Sequence, residues 1–258
     1  MDRIKLMIDS GSDIPREVAE ALNAEVVPLY RIIDGVPVLD YHDFDIQEYS
    51  NYLKTCKEIP SSSQPSPEDF LTRYERFADE GYNHIICITM SVHGSGTYNS
   101  AVLASEMFRE HHPESALQIH VVDSWSCSLN MVMELRLANR LIEAGAGIRT
   151  ILDELYSVRE KVRTYYLIDN LEFLIKGGRV SPLKGGIASK LRIKPIVAIK
   201  NGEGSIPANR GKGPGALPRP QVLHLPYAGN HVHTIGPGFH RHFLHQEQIG
   251  ALQIHVYS

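Results

Sequence analysis

The feature that most constrains this chain is the order strand, hydroxyl-rich turn, helix in its first half. The apolar run Ile85-Ile86-Cys87-Ile88 leads into Ser91-Val92-His93-Gly94-Ser95-Gly96-Thr97-Tyr98, and a helical stretch follows from Asn99. In an open parallel sheet, ligands sit at such turns, beyond the carboxyl ends of the strands. A helix N-terminus there brings unpaired N–H donors and partial positive charge, which suit a carboxylate or phosphate. A second segment of the same kind, Ser61-Ser62-Ser63-Gln64-Pro65-Ser66-Pro67, precedes another helical stretch. Together the two turns predict a site for a small anionic head group.

The rest of the first half repeats the alternation. Ile4 to Ile8 reads as a buried strand followed by Asp9-Ser10-Gly11-Ser12-Asp13, with a helix from Pro15 to Leu22. Glu25 to Arg31 reads as one strand, Asp34 to Tyr41 as a loop or irregular hairpin, and Ile46 to Lys57 has helical spacing. Ser66-Pro67-Glu68-Asp69 is a helix start, with a capping serine, proline at the first position and acids in the first turn. Phe70, Leu71, Tyr74 and Phe77 mark one face of that helix. His84 to Thr89 and His120 to Val122 are further strands, the latter ending in the hydroxyl-rich turn Asp123-Ser124-Trp125-Ser126-Cys127-Ser128. Met131 to Ala144 and Ile148 to Val162 are amphipathic helices. Strands alternating with helices predict an α/β fold with a parallel sheet. The expected organisation is a three-layer α/β/α domain over residues 1–163 and a smaller α/β domain beginning at 164–204. Within the second lie a strand from Tyr165 to Ile168, a short helix at Ile187 to Leu191 and a strand from Pro195 to Lys200.

Bulk composition excludes several classes. A net charge of -4 gives no reason to expect nucleic acid as partner, and no apolar run approaches the roughly 18 residues of a membrane helix. The segment Met1-Asp2-Arg3-Ile4-Lys5 has no signal-peptide core, and three scattered cysteines, Cys56, Cys87 and Cys127, fit a reducing compartment, so a cytoplasmic protein is expected. From Gly204 the character changes. Seven of the 13 histidines and a single acid, Glu247, fall there, and prolines at 207, 214, 218, 220, 226 and 237 prevent a long helix. Residues 205–258 are read as an atypical tail that is disordered or arises from out-of-frame translation. Metal binding by His231-Val232-His233 and His240-Arg241-His242 is the weaker reading, since neither acid nor cysteine accompanies them at zinc-site spacing. Only a short alternation near Ile249 to Tyr257 stands out.

Each candidate residue also has a plain structural reading. Ser62 and Ser63 could cap a helix, and so could Ser95. His93 beside Ser95 invites comparison with a Ser–His pair, but no orienting acid is evident and the Gly-x-Ser-x-Gly elbow is missing. Asp9 and Asp13 read as helix-start acids before metal ligands. Gly177-Gly178 reads as a turn before a phosphate cradle.

An ordered set of motifs now identifies a relative. Asp9 through Asp13, Ser62-Ser63-Gln64-Pro65-Ser66-Pro67, Ser91 through Ala101, Asp123-Ser124, Leu171-Glu172-Phe173-Leu174-Ile175-Lys176-Gly177-Gly178-Arg179-Val180-Ser181, and Ile193-Lys194-Pro195-Ile196 followed by Gly202 occur in sequence. Over roughly residues 1 to 205 the chain resembles the DegV family of fatty-acid-binding proteins. That resemblance implies one long-chain fatty acid bound in an apolar tunnel between two α/β domains. It implies that the carboxylate is presented to a separate ATP-dependent fatty acid kinase subunit, a route into phospholipid metabolism. It implies no cofactor, no metal and no catalytic residue in the binding protein itself. By motif position Ser62, where the family usually has threonine, and Ser95 hydrogen-bond the carboxylate, Ser91 assists, and Arg179 contacts the kinase or the phosphoryl group. Neutral hydroxyl and N–H donors can hold a carboxylate without a fixed counter-charge. The departure lies after about Gly204, where the family's closing elements are not recognisable and the second domain looks truncated or altered. A serine-dependent esterase and a non-functional remnant are the alternatives.

Overall fold

In the computed structural model, residues 2–41, 46–161, 163–168, 172–178, 196–205 and 252–257 are described. In chain order the elements are β1 (Ile4–Asp9), α1 (Arg16–Ala21), β2 (Ala24–Val27), β3 (Tyr30–Ile33), β4 (Val36–Leu39), α2 (Ile46–Thr55), β5 (Ser61–Ser63) and α3 (Pro67–Asp79). They continue with β6 (His84–Thr89), α4 (Thr97–His111), β7 (Gln118–Asp123), α5 (Leu129–Glu143), α6 (Ile148–Lys161), β8 (Arg163–Ile168), α7 (Glu172–Lys176), β9 (Ile196–Lys200), β10 (Glu203–Ser205) and β11 (Leu252–Tyr257). Two compact units divide the chain: residues Met1–Phe44, Pro60–Val162 and Ile199–Gly204, and residues Asp45–Ile59, Arg163–Ala198 and Ser205–Ser258.

The first unit is built on a four-stranded parallel sheet in the order β2-β1-β6-β7. All six residues of β6 are buried, as a central strand covered by helices on both faces requires. Period-two alternation divides its side chains. Met7, Ile85 and Cys87 meet Phe70, Tyr74 and Phe77 of α3 and Ala101, Ala104 and Phe108 of α4. The opposite face is covered by α5, which packs on β1 and β6 with Met131, Leu135 and Ala138 fully buried. Each large aromatic of α3 contributes about 1.5–3 kcal/mol by burial, and the Tyr74 hydroxyl donates to Ala101 O at 3.3 Å. The start of α3 follows its sequence signal. Ser66 Oγ accepts from Asp69 N at 3.2 Å, and Asp69 Oδ2 accepts from Ser66 N at 2.8 Å, a reciprocal capping box.

Two expectations need correction. Residues 25–31 do not form one strand. Pro28, which has no N–H for a ladder, breaks the run, and β2 joins the parallel sheet while β3 leaves for a separate antiparallel sheet in the order β4-β3-β5. Ser61 to Ser63 are not a turn but the strand β5, paired with β3 so that Ser61 faces Ile32, Ser62 faces Arg31 and Ser63 faces Tyr30. The segment Asp34 to Tyr41 resolves into a hairpin whose Asp34-Gly35 turn has φ of 50° and 79°, the two positive values of a tight two-residue loop.

A second four-stranded sheet runs β10-β9-β8-β11, with β11 antiparallel to β8. Leu252 to Tyr257, within the alternation noted near Ile249 to Tyr257, form the strand β11. The expected helix at Ile187 to Leu191 and the tail histidines 231, 233, 240 and 242 lie outside the described residues.

Candidate functional site

In the parallel sheet the chain steps from β1 to β2 on one side, then to β6 and β7 on the other. The order reverses between β1 and β6, and the crevice beyond their carboxyl ends is where such folds take ligands. Asp9 stands at that point, fully buried. Its Oδ1 accepts from Gly11 N at 2.8 Å and its Oδ2 from Met90 N at 2.7 Å, so one carboxyl ties the turn after β1 to the end of β6. Burial pushes this acid up to about 7 against the pull of those two N–H donors. The capping reading of Asp9 therefore describes its bond to Gly11. Alanine at Gly11 would set a Cβ 2.9 Å from Asp9 Oδ1.

The turns after β1, β6 and β7 are interlocked through backbone. Ser91 N donates to Ser126 O at 2.8 Å, and Ser128 N donates to Gly11 O at 2.8 Å. Within the β6–α4 turn, Gly94 N and Ser95 N both donate to Ser91 O. The buried Ser91 hydroxyl donates to Gly202 O at 2.9 Å and accepts from His93 N at 3.2 Å. Its proton is therefore committed to the protein. The partner carbonyl sits in the Asn201-Gly202 turn, with φ of 53° and 83°. A Cβ on Gly202 would lie 2.8 Å from Ser91 Oγ, 2.9 Å from His93 Cδ2 and 3.5 Å from Trp125 Cδ1. Trp125 in turn has the Arg159 guanidinium 3.9 Å from its ring centre, and Arg159 Nη1 donates to Asp123 O at 2.7 Å.

Ser95 is half-buried. Its Oγ lies 2.8 Å from Thr97 Oγ1 and accepts from Thr97 N at 3.3 Å, which satisfies the first N–H of α4. The N-cap position itself is Gly96, without a side-chain cap. Among the described residues Ser95 has no hydrogen bond to His93, so a Ser–His nucleophile is not assembled there. Ser62 is exposed, and its hydroxyl has no hydrogen-bond partner among the described residues. Ser66, and not Ser62 or Ser63, caps α3.

Gln64 joins the two hydroxyl-rich segments. Its amide lies against the α-carbon of Gly96, where an added Cβ would come within 2.6 Å of Nε2. On the far side of the site, Ser10 Oγ donates to Asp40 Oδ2 at 3.0 Å and accepts from Leu29 N at 3.0 Å. Asp40 Oδ1 also accepts from Arg31 Nε at 2.8 Å, which clips the hairpin to the turn after β1. Gly178 N donates to Ile175 O at 3.0 Å as a turn closing α7, while Arg179 lies outside the described residues. Among the described residues no group of three histidine, cysteine or acidic side chains could hold a metal ion. No helix among them is long and apolar enough to cross a membrane.

Sequence reasoning missed the Arg31–Asp40 pair, and it quoted Gln64 and Gly202 as motif members without giving either a role in the Gln64–Gly96 contact or in the Asn201-Gly202 turn. The last had a signal, since Asn-Gly is the strongest short-range mark of a two-residue hairpin.

Comparison with known proteins points one way. The model of the DegV family, described as an uncharacterised protein family, matches residues 3–213. A fatty acid-binding protein of Thermotoga maritima is 33% identical over 217 residues, 82% of this chain and 72% of its own. A DegV family protein from Thermus thermophilus, solved for its fatty acid binding, matches with a TM-score of 0.70 at 33% identity over 79% of this chain and 70% of its own. The Streptococcus pneumoniae Fatty Acid Kinase (Fak) B3 protein loaded with linoleic acid matches with a TM-score of 0.67 at 26% identity, over 80% and 72% of the two chains.

Proposed function

The chain belongs to the DegV family, and from that premise we propose that it binds one long-chain fatty acid and presents the carboxylate to an ATP-dependent kinase subunit. The observation that carries this reading is the Ser62 hydroxyl, without a partner among the described residues, on a strand whose next residues reach the Ser95 turn through the Gln64–Gly96 contact. A carboxylate there accepts from Ser62 and Ser95. Ser91 assists indirectly, by holding the turn against Gly202. An apolar tunnel takes the acyl chain and supplies most of the affinity, at about 0.8 kcal/mol per buried CH₂. The hydroxyls fix which end faces the kinase. Residues 1–163 carry the head-group turns, residues 164–204 begin the second domain, and Arg179 meets the kinase or the phosphoryl group. The protein acts as a carrier in the cytoplasm, with phosphoryl transfer left to its partner.

Native mass spectrometry of the purified chain, followed by organic extraction, tests the reading. One fatty acid per chain is expected. Ser62→Ala should retain less of it while unfolding within about 0.5 kcal/mol of wild type, since the hydroxyl has no hydrogen-bond partner among the described residues. Ser95→Ala should also retain less and lose about 1 kcal/mol, because its bonds to Thr97 go. A chain that stays empty when oleate is added overturns the proposal. Ester hydrolysis abolished by Ser95→Ala would put the esterase in its place.

A further inference from the structure

We infer that Gln64 is a head-group residue whose side-chain amide donates to the lipid carboxylate between Ser62 and Ser95, and that Gly96 is the notch that seats it. The inference rests on the fatty-acid reading above and adds to it one contact that favours an acid over its ester. A glycine marks the place. Gly96, at the N-cap of α4, has φ of -77° and ψ of 4°. Other residues adopt that backbone in ordinary turns, so conformation does not call for glycine here. Space does. A Cβ on Gly96 would lie 2.6 Å from Gln64 Nε2, 2.8 Å from its Cδ and 3.1 Å from its Oε1. All three distances fall inside van der Waals contact. The amide of Gln64 lies broadside against the start of α4 and takes the room of a side chain.

The strand sets where that amide looks. Residues two apart on extended backbone share a side, and Pro65 biases Gln64 toward extended conformation, so Ser62 and Gln64 project the same way. Ser63 and its partner Tyr30 turn to the other face, where the Tyr30 hydroxyl donates to Asp69 of α3 at 3.1 Å. At its far end the Gln64 amide touches the residue that follows Ser95. Gln64 thus spans the gap between the two hydroxyls.

Among the described residues no hydrogen bond engages that amide; Ser63 Oγ donates to the backbone carbonyl of Gln64 instead, at 3.4 Å. Gln64 is exposed, so its amide is reachable. Packing against Gly96 holds the group in place without consuming either of its two N–H donors. A donor fixed in that way has already given up part of its rotamer freedom before the ligand arrives. Its bond to an ionised carboxylate is roughly twice as strong as one to a neutral carbonyl, so the contact discriminates by charge while remaining neutral itself.

The test compares oleate with methyl oleate, which has the same chain and no charge, on the full-length protein. Gln64→Ala should weaken oleate roughly tenfold, the worth of a hydrogen bond to a charged group, and methyl oleate by a smaller factor. Gln64→Glu keeps the shape and sets a carboxylate against the ligand's own, so oleate should fall further than with Gln64→Ala while methyl oleate does not. Gly96→Ala displaces the amide and should weaken oleate about as much as Gln64→Ala. The two losses should not add in the double variant, since both remove one contact. Oleate bound by Gln64→Ala as by wild type, or both lipids weakened by the same factor, overturns the assignment. Additive losses in the double variant overturn the role of Gly96. Wild-type protein that binds neither lipid overturns the fatty-acid reading along with it.

Discussion

Asp9 carries the clearest consequence for pH. Its carboxyl is buried, accepts from two backbone N–H groups and is pushed up to about 7 from an ordinary 3.8. The folded protein then holds this proton more tightly than the unfolded chain. The resulting stabilisation is full below about 3.8 and is lost as pH rises through about 7. Glu134, raised in the same direction by burial, adds a slope of the same sign, so only the difference between proteins isolates Asp9. Urea unfolding of wild type and Asp9→Asn at pH 5 and pH 8 should show wild type losing more stability between the two than the variant does. Parallel losses would refute the assignment. The aspartate itself was visible in the sequence as a cap at the end of a strand. Its bond to Met90, from a strand far along the chain, is a product of the sheet order and has no local mark.

At the scale of elements, Asn201-Gly202 forms a short turn that reaches the β6–α4 turn. Gly202→Ala meets two penalties: the left-handed φ of 83°, and a Cβ 2.8 Å from Ser91 Oγ and 2.9 Å from His93 Cδ2. Gly35→Ala meets only the first, since φ is 79° and nothing lies within 4 Å. Strain alone costs about 1–2 kcal/mol. Thermal denaturation should therefore show Gly202→Ala more destabilised than Gly35→Ala, with loss of the Ser91–Gly202 hydrogen bond; equal losses would mean the turn yields freely. The strands and helices of the parallel domain were legible because their apolar periods are strong and Ser66-Pro67 punctuates them. The three-serine strand β5 was not. Nothing in Ser-Ser-Ser favours extended backbone over turn, and pairing with β3 decides it.

For the whole molecule, a bound acyl chain is predicted to act as part of the fold. Ligand that binds only the folded state adds RT ln(1 + [L]/Kd), about 2.7 kcal/mol at a hundredfold excess over Kd. Delipidated protein titrated with oleate should therefore show a rising, concentration-dependent unfolding midpoint. A midpoint that stays fixed would mean that the lipid does not favour the folded state. The α/β class was legible from strand–helix alternation alone, and the expectation of a fatty acid ligand came from the family resemblance that the ordered motifs carry. The meeting of Arg31 with Ser62 came from neither, since it depends on register across two strands distant in sequence. That register has an arithmetic of its own. Along β5 the outlook of each side chain is a matter of odd and even positions. Adding one residue ahead of Ser62 would turn Ser62 away and put its neighbour opposite Arg31, whereas adding two would restore the pattern. Within β5 itself a single inserted residue should therefore survive only where a bulge absorbs it, whereas changes of any length in the loop between α2 and β5 leave the register untouched.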